Sequence, residues 1–213
     1  LTVGLRVDEV VNLTAARFET MQIEGMSDEE VIIEVLTRTK GLVRRPVHWP
    51  VYLVRSIQAY IAGERTRAIQ AARKSWLKAN VKPPRKLLLN LPSAGRNAGK
   101  ATSAETLEAD LALAMVALGL TRPRVRAEGT EDETITREPK HSFHDGRHTF
   151  AYLIYADAKR RGDPTPEHVV RLRLGHKDVT TTINIYLRVF SGIGGEALDH
   201  TAGFIRNIIE GEN

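Results

Sequence analysis

Apolar residues from Leu5 to Leu13 recur at helical spacing, which predicts a short helix ending near Thr14. Three strands are expected next, at Phe18 to Ile23, Val31 to Thr37 and Leu42 to His48, separated by Asp28-Glu-Glu and Thr39-Lys40-Gly41. The β-branched run Val31-Ile-Ile-Glu-Val supports the middle strand, and Lys40-Gly41 supports a tight turn between the last two. After Pro50 the pattern turns helical from Val51 to about Ala62, and a basic helix is expected over Glu64 to Ala79, before Pro83-Pro84. Lys86 to Leu91 reads as a short apolar element and Ser93 to Thr102 as a loop. Ser103 suits the N-cap of a helix that Gly119 closes. For the charged stretch Arg122 to Lys140, a hairpin around Glu128 to Glu133 and an open loop both fit.

Sharper signals begin at Ser142. Ser142-Phe-His-Asp145 reads as a capping box at a helix start. Thr165-Pro166 fits an N-cap followed by proline at the first helical position, and Gly175 suits that helix's end. Asp178 is expected to cap a short helix carrying Tyr186. A closing helix over about Glu196 to Ile209 presents Leu198, Ala202, Ile205 and Ile209 as an apolar stripe. Together these elements predict an α+β chain, mainly helical, with a small three-stranded antiparallel sheet packed against a helical bundle.

Composition narrows the chemistry. The 213 residues are enough for one sizeable core. With no cysteine in the chain, disulfides, thiolate zinc sites and cysteine nucleophiles are excluded. No run approaches the roughly 20 apolar residues of a membrane span, and the first residues lack the pattern of a secretory signal. A net charge of +5 is compatible with a polyanionic partner without requiring one. The chain starts without methionine and carries a chemically loaded motif by residue 6, so an upstream portion is expected to have been removed.

The residues of interest are Arg6 in Gly4-Leu-Arg6-Val-Asp-Glu9, the segment His144-Asp-Gly-Arg147-His148, Leu174-Gly-His176, and Tyr186. Two guanidinium groups, several imidazoles and a phenol suit a site that holds a phosphodiester and attacks it with tyrosine. Charge grows on the non-bridging oxygens in such a transition state, and arginine's planar, permanently charged fork matches phosphate. His144 and Arg147, three apart, would share a helix face in the first turns, where free N–H groups also favour phosphate. An exposed polar helix start would look the same. Lys40, at a hairpin tip, could protonate a leaving oxygen, although a solvated turn lysine is the commoner case.

Taken together, the motifs resemble the tyrosine recombinase (phage integrase) family. Gly4-Leu5-Arg6-Val7-Asp8-Glu9-Val10 looks like its first box and Thr37-Arg-Thr-Lys40-Gly41 like its lysine hairpin. Leu87-Leu-Leu-Asn90 and Thr102-Ser-Ala-Glu-Thr-Leu107 match the linking region more loosely. His144-Asp-Gly-Arg147-His148-Thr149-Phe150 resembles the second box, and Leu174-Gly-His176 through Tyr186 the third. Gly146 stands where the family usually has leucine.

The resemblance implies the tyrosine-recombinase catalytic-domain fold over residues 1–190, a tail helix over 191–213, and an upstream DNA-clamping domain outside this chain. It implies that Tyr186 is the nucleophile, that Arg6, Arg147 and His176 hold the phosphate, that Lys40 is the general acid and that His144 is the base. Glu9 and His148 would be supporting residues. No cofactor or metal is implied. The implied partners are double-stranded DNA, three further copies in a homotetramer with exchange of the C-terminal helix, and accessory DNA-bending or directionality proteins. The implied setting is the cytoplasm of a bacterial host of a phage or other mobile element, with no membrane. Competing readings are a type IB topoisomerase-like nicking-closing enzyme, a DNA-binding remnant, and a metal-dependent phosphohydrolase using His141, His144, Asp145 and His148.

Overall fold

A computed structural model describes residues 3–37, 44–126 and 134–176. It divides into two compact units, Leu1–Phe150 and Ala151–Asn213. The expected boundary near residue 190 and the expected helices around Tyr186 and over Glu196 to Ile209 lie outside the described residues.

The first unit begins with helix α1 (Val7–Val11) and helix α2 (Ala15–Glu19). Strands β1 (Val31–Thr37) and β2 (Arg44–Pro50) then pair antiparallel, with Ile33 opposite His48 and Val35 opposite Pro46. Strand alternation turns Arg45, Val47 and Trp49 inward. The Trp49 ring meets Phe18 of α2 edge-on at a centroid distance of 5.0 Å. Around this pair gather Leu13, Met21, Ile23, Val51, Val54, Ile61 and Leu87.

Among the described residues the sheet holding β1 and β2 has two strands, not the three expected. Phe18 to Ile23 is not a strand but the end of α2 and the turn after it. The reason lies in the spacing of the apolar side chains. Phe18 and Met21 are three apart and would point to opposite faces of a strand, whereas a helical turn followed by extended chain buries both. The Gln58 side-chain amide donates to the Phe18 and Met21 carbonyls at 2.8 and 3.0 Å, which satisfies backbone groups that a sheet would otherwise have paired.

Helix α3 (Val51–Tyr60) runs through a π-helical turn (Ile61–Arg65) into α4 (Thr66–Ala79), so the two expected helices form one helical path. The turn faces Arg65 inward, where it donates to the carbonyls of Pro84, Lys86 and Leu87 at 2.9 to 3.2 Å. Asn80 takes the left-handed conformation that ends α4. Helix α5 (Ala104–Ala117) is capped by Ser103, whose hydroxyl accepts the Thr106 N–H at 3.2 Å, and Gly119 follows at φ +70°. Strands β3 (Thr121–Arg126) and β4 (Thr134–Pro139) pair antiparallel, which favours the hairpin reading of that stretch.

Helix α6 (Phe143–Arg160) starts in the first unit and ends in the second, where α7 (Pro166–Leu174) follows. In the second unit Ala151, Ala158, Val170 and Leu174 are buried. Thr165 precedes α7 as expected but makes no side-chain cap bond; its own N–H donates to Asp163 at 2.9 Å. No described helix is long and apolar enough to cross a membrane.

Candidate active site

The candidate site begins at the N-terminus of α1. Arg6 is the extended residue immediately before α1, and Glu9 sits three residues on. That spacing lets the Glu9 carboxylate reach back and accept the Arg6 backbone N–H at 2.8 Å, one half of a capping box. The same oxygen, Oε2, accepts from Arg45 Nη2 at 2.7 Å. Arg147, from the second turn of α6, brings Nη1 to 3.9 Å from Oε2 and donates to the Gly4 carbonyl. Arg6 Nη1 stands 3.6 Å from the other carboxylate oxygen. One carboxylate therefore faces three guanidinium groups.

Burial separates the members of this cluster. Glu9, Arg45 and Arg147 are 8%, 2% and 5% exposed, whereas the Arg6 side chain is 24% exposed. Arg6 thus carries the cluster's positive surplus to its solvent side. Burial pushes the Glu9 carboxyl up, but it is outweighed by the Arg45 hydrogen bond, the Arg6 N–H and the charges of Arg45 and Arg147, which hold the group below its ordinary 4.5. Gly4 adopts φ +63°, and an added Cβ there would overlap the Phe150 ring, so glycine is what lets the chain pass close to α6.

At the start of α6 the expected capping box is present. Ser142 N–H donates to Asp145 Oδ2 at 2.7 Å, and the Asp145 N–H donates to Ser142 Oγ at 3.3 Å. Partial burial raises the Asp145 carboxyl, but the Ser142 hydrogen bonds and the nearby His141 and His148 bring it below its ordinary range. His144 and Arg147, three apart on α6, differ in burial. Arg147 is buried in the cluster, while His144 is exposed and its ring meets His148 edge-on at 4.3 Å.

In the second unit, His176 follows Gly175, which has φ +65°. Gly175 N–H donates to the Leu172 carbonyl at 3.3 Å and His176 N–H to the Arg171 carbonyl at 3.1 Å, the paired bonds of a Schellman motif. His176 is buried. Lys40 and Tyr186 lie outside the described residues. Among the described residues, no three His, Asp or Glu side chains are grouped to hold a metal, so His141, His144, Asp145 and His148 do not form the ligand set of the phosphohydrolase reading. A cleft of about 370 Å³ does involve His141 and Asp145, together with Arg122, Glu138 and Lys140, but it includes none of the arginines around Glu9.

Among solved structures, the crystal structure of XerA recombinase is similar to this chain, with 17% identity and a TM-score of 0.49. The match covers 96% of this chain and 54% of that one, so the chain spans about half its length. No protein-family model and no curated protein matches the chain. At this level the structural likeness carries no weight for fold or activity.

Arg45 is the member of the site that the motif reading missed. A signal was available: with Val47 and Trp49 fixing the inward face of β2, Arg45 falls on that same face. An inward strand arginine demands a buried partner, and Glu9 is that partner.

Proposed function

We propose that the chain is the catalytic portion of a site-specific DNA recombinase that cuts and rejoins strands through a 3′-phosphotyrosine intermediate. One observation carries the reading. Arg6 and Arg147, the two arginines assigned to phosphate from their motifs, converge on the Glu9 carboxylate, with Arg6 on the solvent side. Preorganised guanidinium groups of this kind stabilise the charge that develops on non-bridging phosphate oxygens.

In the proposed reaction the Tyr186 oxygen attacks phosphorus and its proton passes to His144. The bond from phosphorus to the 5′ oxygen breaks, and that oxygen takes a proton from Lys40. His176 joins Arg6 and Arg147 at the non-bridging oxygens, and His148 supports His144. Attack by the 5′ hydroxyl of another strand reverses the step and restores the tyrosine. Double-stranded DNA is the proposed substrate. A homotetramer on DNA, exchange of the C-terminal segment, accessory DNA-bending proteins and an origin in a mobile element belong to the same proposal.

The test is a nicked suicide DNA substrate incubated with the protein in the presence of a chelator. The expected result is a covalent protein–DNA adduct that Tyr186→Phe abolishes. An adduct that survives in Tyr186→Phe, or that requires zinc or manganese, overturns the proposal.

A further inference from the structure

We infer that Arg45 is a positioning residue that engages the Glu9 carboxylate and so keeps it from neutralising Arg6 and Arg147. This rests on the proposed phosphodiester chemistry. The distances rank the three arginines. Arg45 Nη2 makes a full charged hydrogen bond to Glu9 at 2.7 Å, whereas the Arg6 and Arg147 guanidinium groups approach that carboxylate only to 3.6 and 3.9 Å. Arg45 is nearly sealed from solvent, and the inward register of β2 fixes it opposite Leu36. Buried in this way, it is placed to act through Glu9 rather than by touching a ligand.

The physical consequence follows from the charges. With Arg45 in place, the carboxylate has its strongest partner on the side of the sheet and acts on Arg6 and Arg147 only as a longer-range orienting charge. Without Arg45, a buried carboxylate must find another cationic donor. The nearest are Arg6 and Arg147, and a fork closed onto Glu9 is a fork withdrawn from phosphate.

The test compares Arg45→Met, Arg45→Lys and the double variant Glu9→Gln with Arg45→Met. Each full-length protein is assayed for single-turnover cleavage of DNA with an ordinary scissile phosphate and with a neutral methylphosphonate there. Arg45→Met is expected to slow cleavage of the phosphodiester by about tenfold, within the range of couplings between residues in one charged network, while the methylphosphonate changes much less. The double variant should recover part of the lost rate, because neutral glutamine cannot hold the two arginines. Arg45→Lys should keep part of it.

A second readout needs no turnover: the arginine Nε–H signals of Arg6 and Arg147 titrated with inorganic phosphate. They should respond in the native protein, more weakly in Arg45→Met, and again in the double variant. If the native protein forms no adduct yet shows this Arg45-dependent response, the recombinase reading falls and the role of Arg45 stands. An Arg45→Met protein with an undiminished phosphate response overturns the inference. So does an equal loss on both DNA substrates that the double variant fails to relieve. Should Arg45→Met not fold, the double variant decides: a phosphate response weaker than that of Arg45→Lys overturns the inference, and one at least as strong supports it.

Discussion

Burying a carboxylate costs several kcal/mol unless cationic hydrogen-bond donors offset the loss of water, and breaking such a pair typically costs about 3–5 kcal/mol. Glu9 is in that position, so Glu9→Gln is expected to lose roughly 3 kcal/mol near neutral pH, measured by urea unfolding. Its pH dependence follows from the depressed carboxyl. As pH falls, the unfolded chain takes up the proton first, near the ordinary value of 4.5. The contribution of Glu9 is therefore complete above that value and is lost as pH drops through the lower value of the folded state. The stability gap between native protein and Glu9→Gln should narrow only in acid; a gap that stays constant down to about pH 3 would contradict the ionised pair. Gly4 invites a second substitution. At φ +63°, facing Phe150, Gly4→Ala combines left-handed backbone strain with overpacking. It should cost about 2 kcal/mol or more. Because the Gly4 carbonyl receives Arg147, the proposed cleavage should fall as well in protein that remains folded.

Helix ends position Asp145 in the first unit and His176 in the second. Ser142 and Asp145 exchange three hydrogen bonds at the start of α6. Ser142→Ala should lower stability by about 1 kcal/mol in thermal unfolding, and Ser142→Thr should retain most of it. The Schellman turn after α7 sets the position of His176, and Gly175→Ala, at φ +65°, should cost about 1 kcal/mol. These two ends were legible in the sequence because each depends on residues within four or five positions. So were the bounds of β1, written in its β-branched run. What was not legible depended on distant partners. The Phe18 segment is decided by Gln58, forty positions away. The burial of Arg147, three residues after the exposed His144 on α6, is decided by Gly4 and Glu9. Arg45 gave only a local hint, and its meaning required the buried carboxylate on another element. The break expected between α3 and α4 fails for a related reason: the π turn absorbs Gly63 because Arg65 is thereby aimed at three backbone carbonyls.

Over the whole molecule, a net charge of +5 says little until the charges are located. Arg122 and Arg124 are both engaged by Glu138, at 2.8 and 3.0 Å, so half of their charge is locally offset. Arg67, Arg73, Lys74 and Lys78 line exposed positions of α4, and acidic residues are absent from that helix. If the polyanion is DNA, α4 should contribute more to binding than the β3–β4 hairpin. In the Tyr186→Phe background, where covalent capture cannot interfere, Arg73→Ala with Lys74→Ala should weaken binding to duplexes of unrelated sequence alike. Each phosphate contact removed should flatten the plot of log affinity against log salt by about 0.9, read by fluorescence anisotropy over a salt series. Replacing Arg122 and Arg124 should change that slope far less, because Glu138 already screens them. The opposite order would place the DNA-facing charge on the hairpin and leave α4 as a solvated basic surface, since exposed cations alone do not identify their partner.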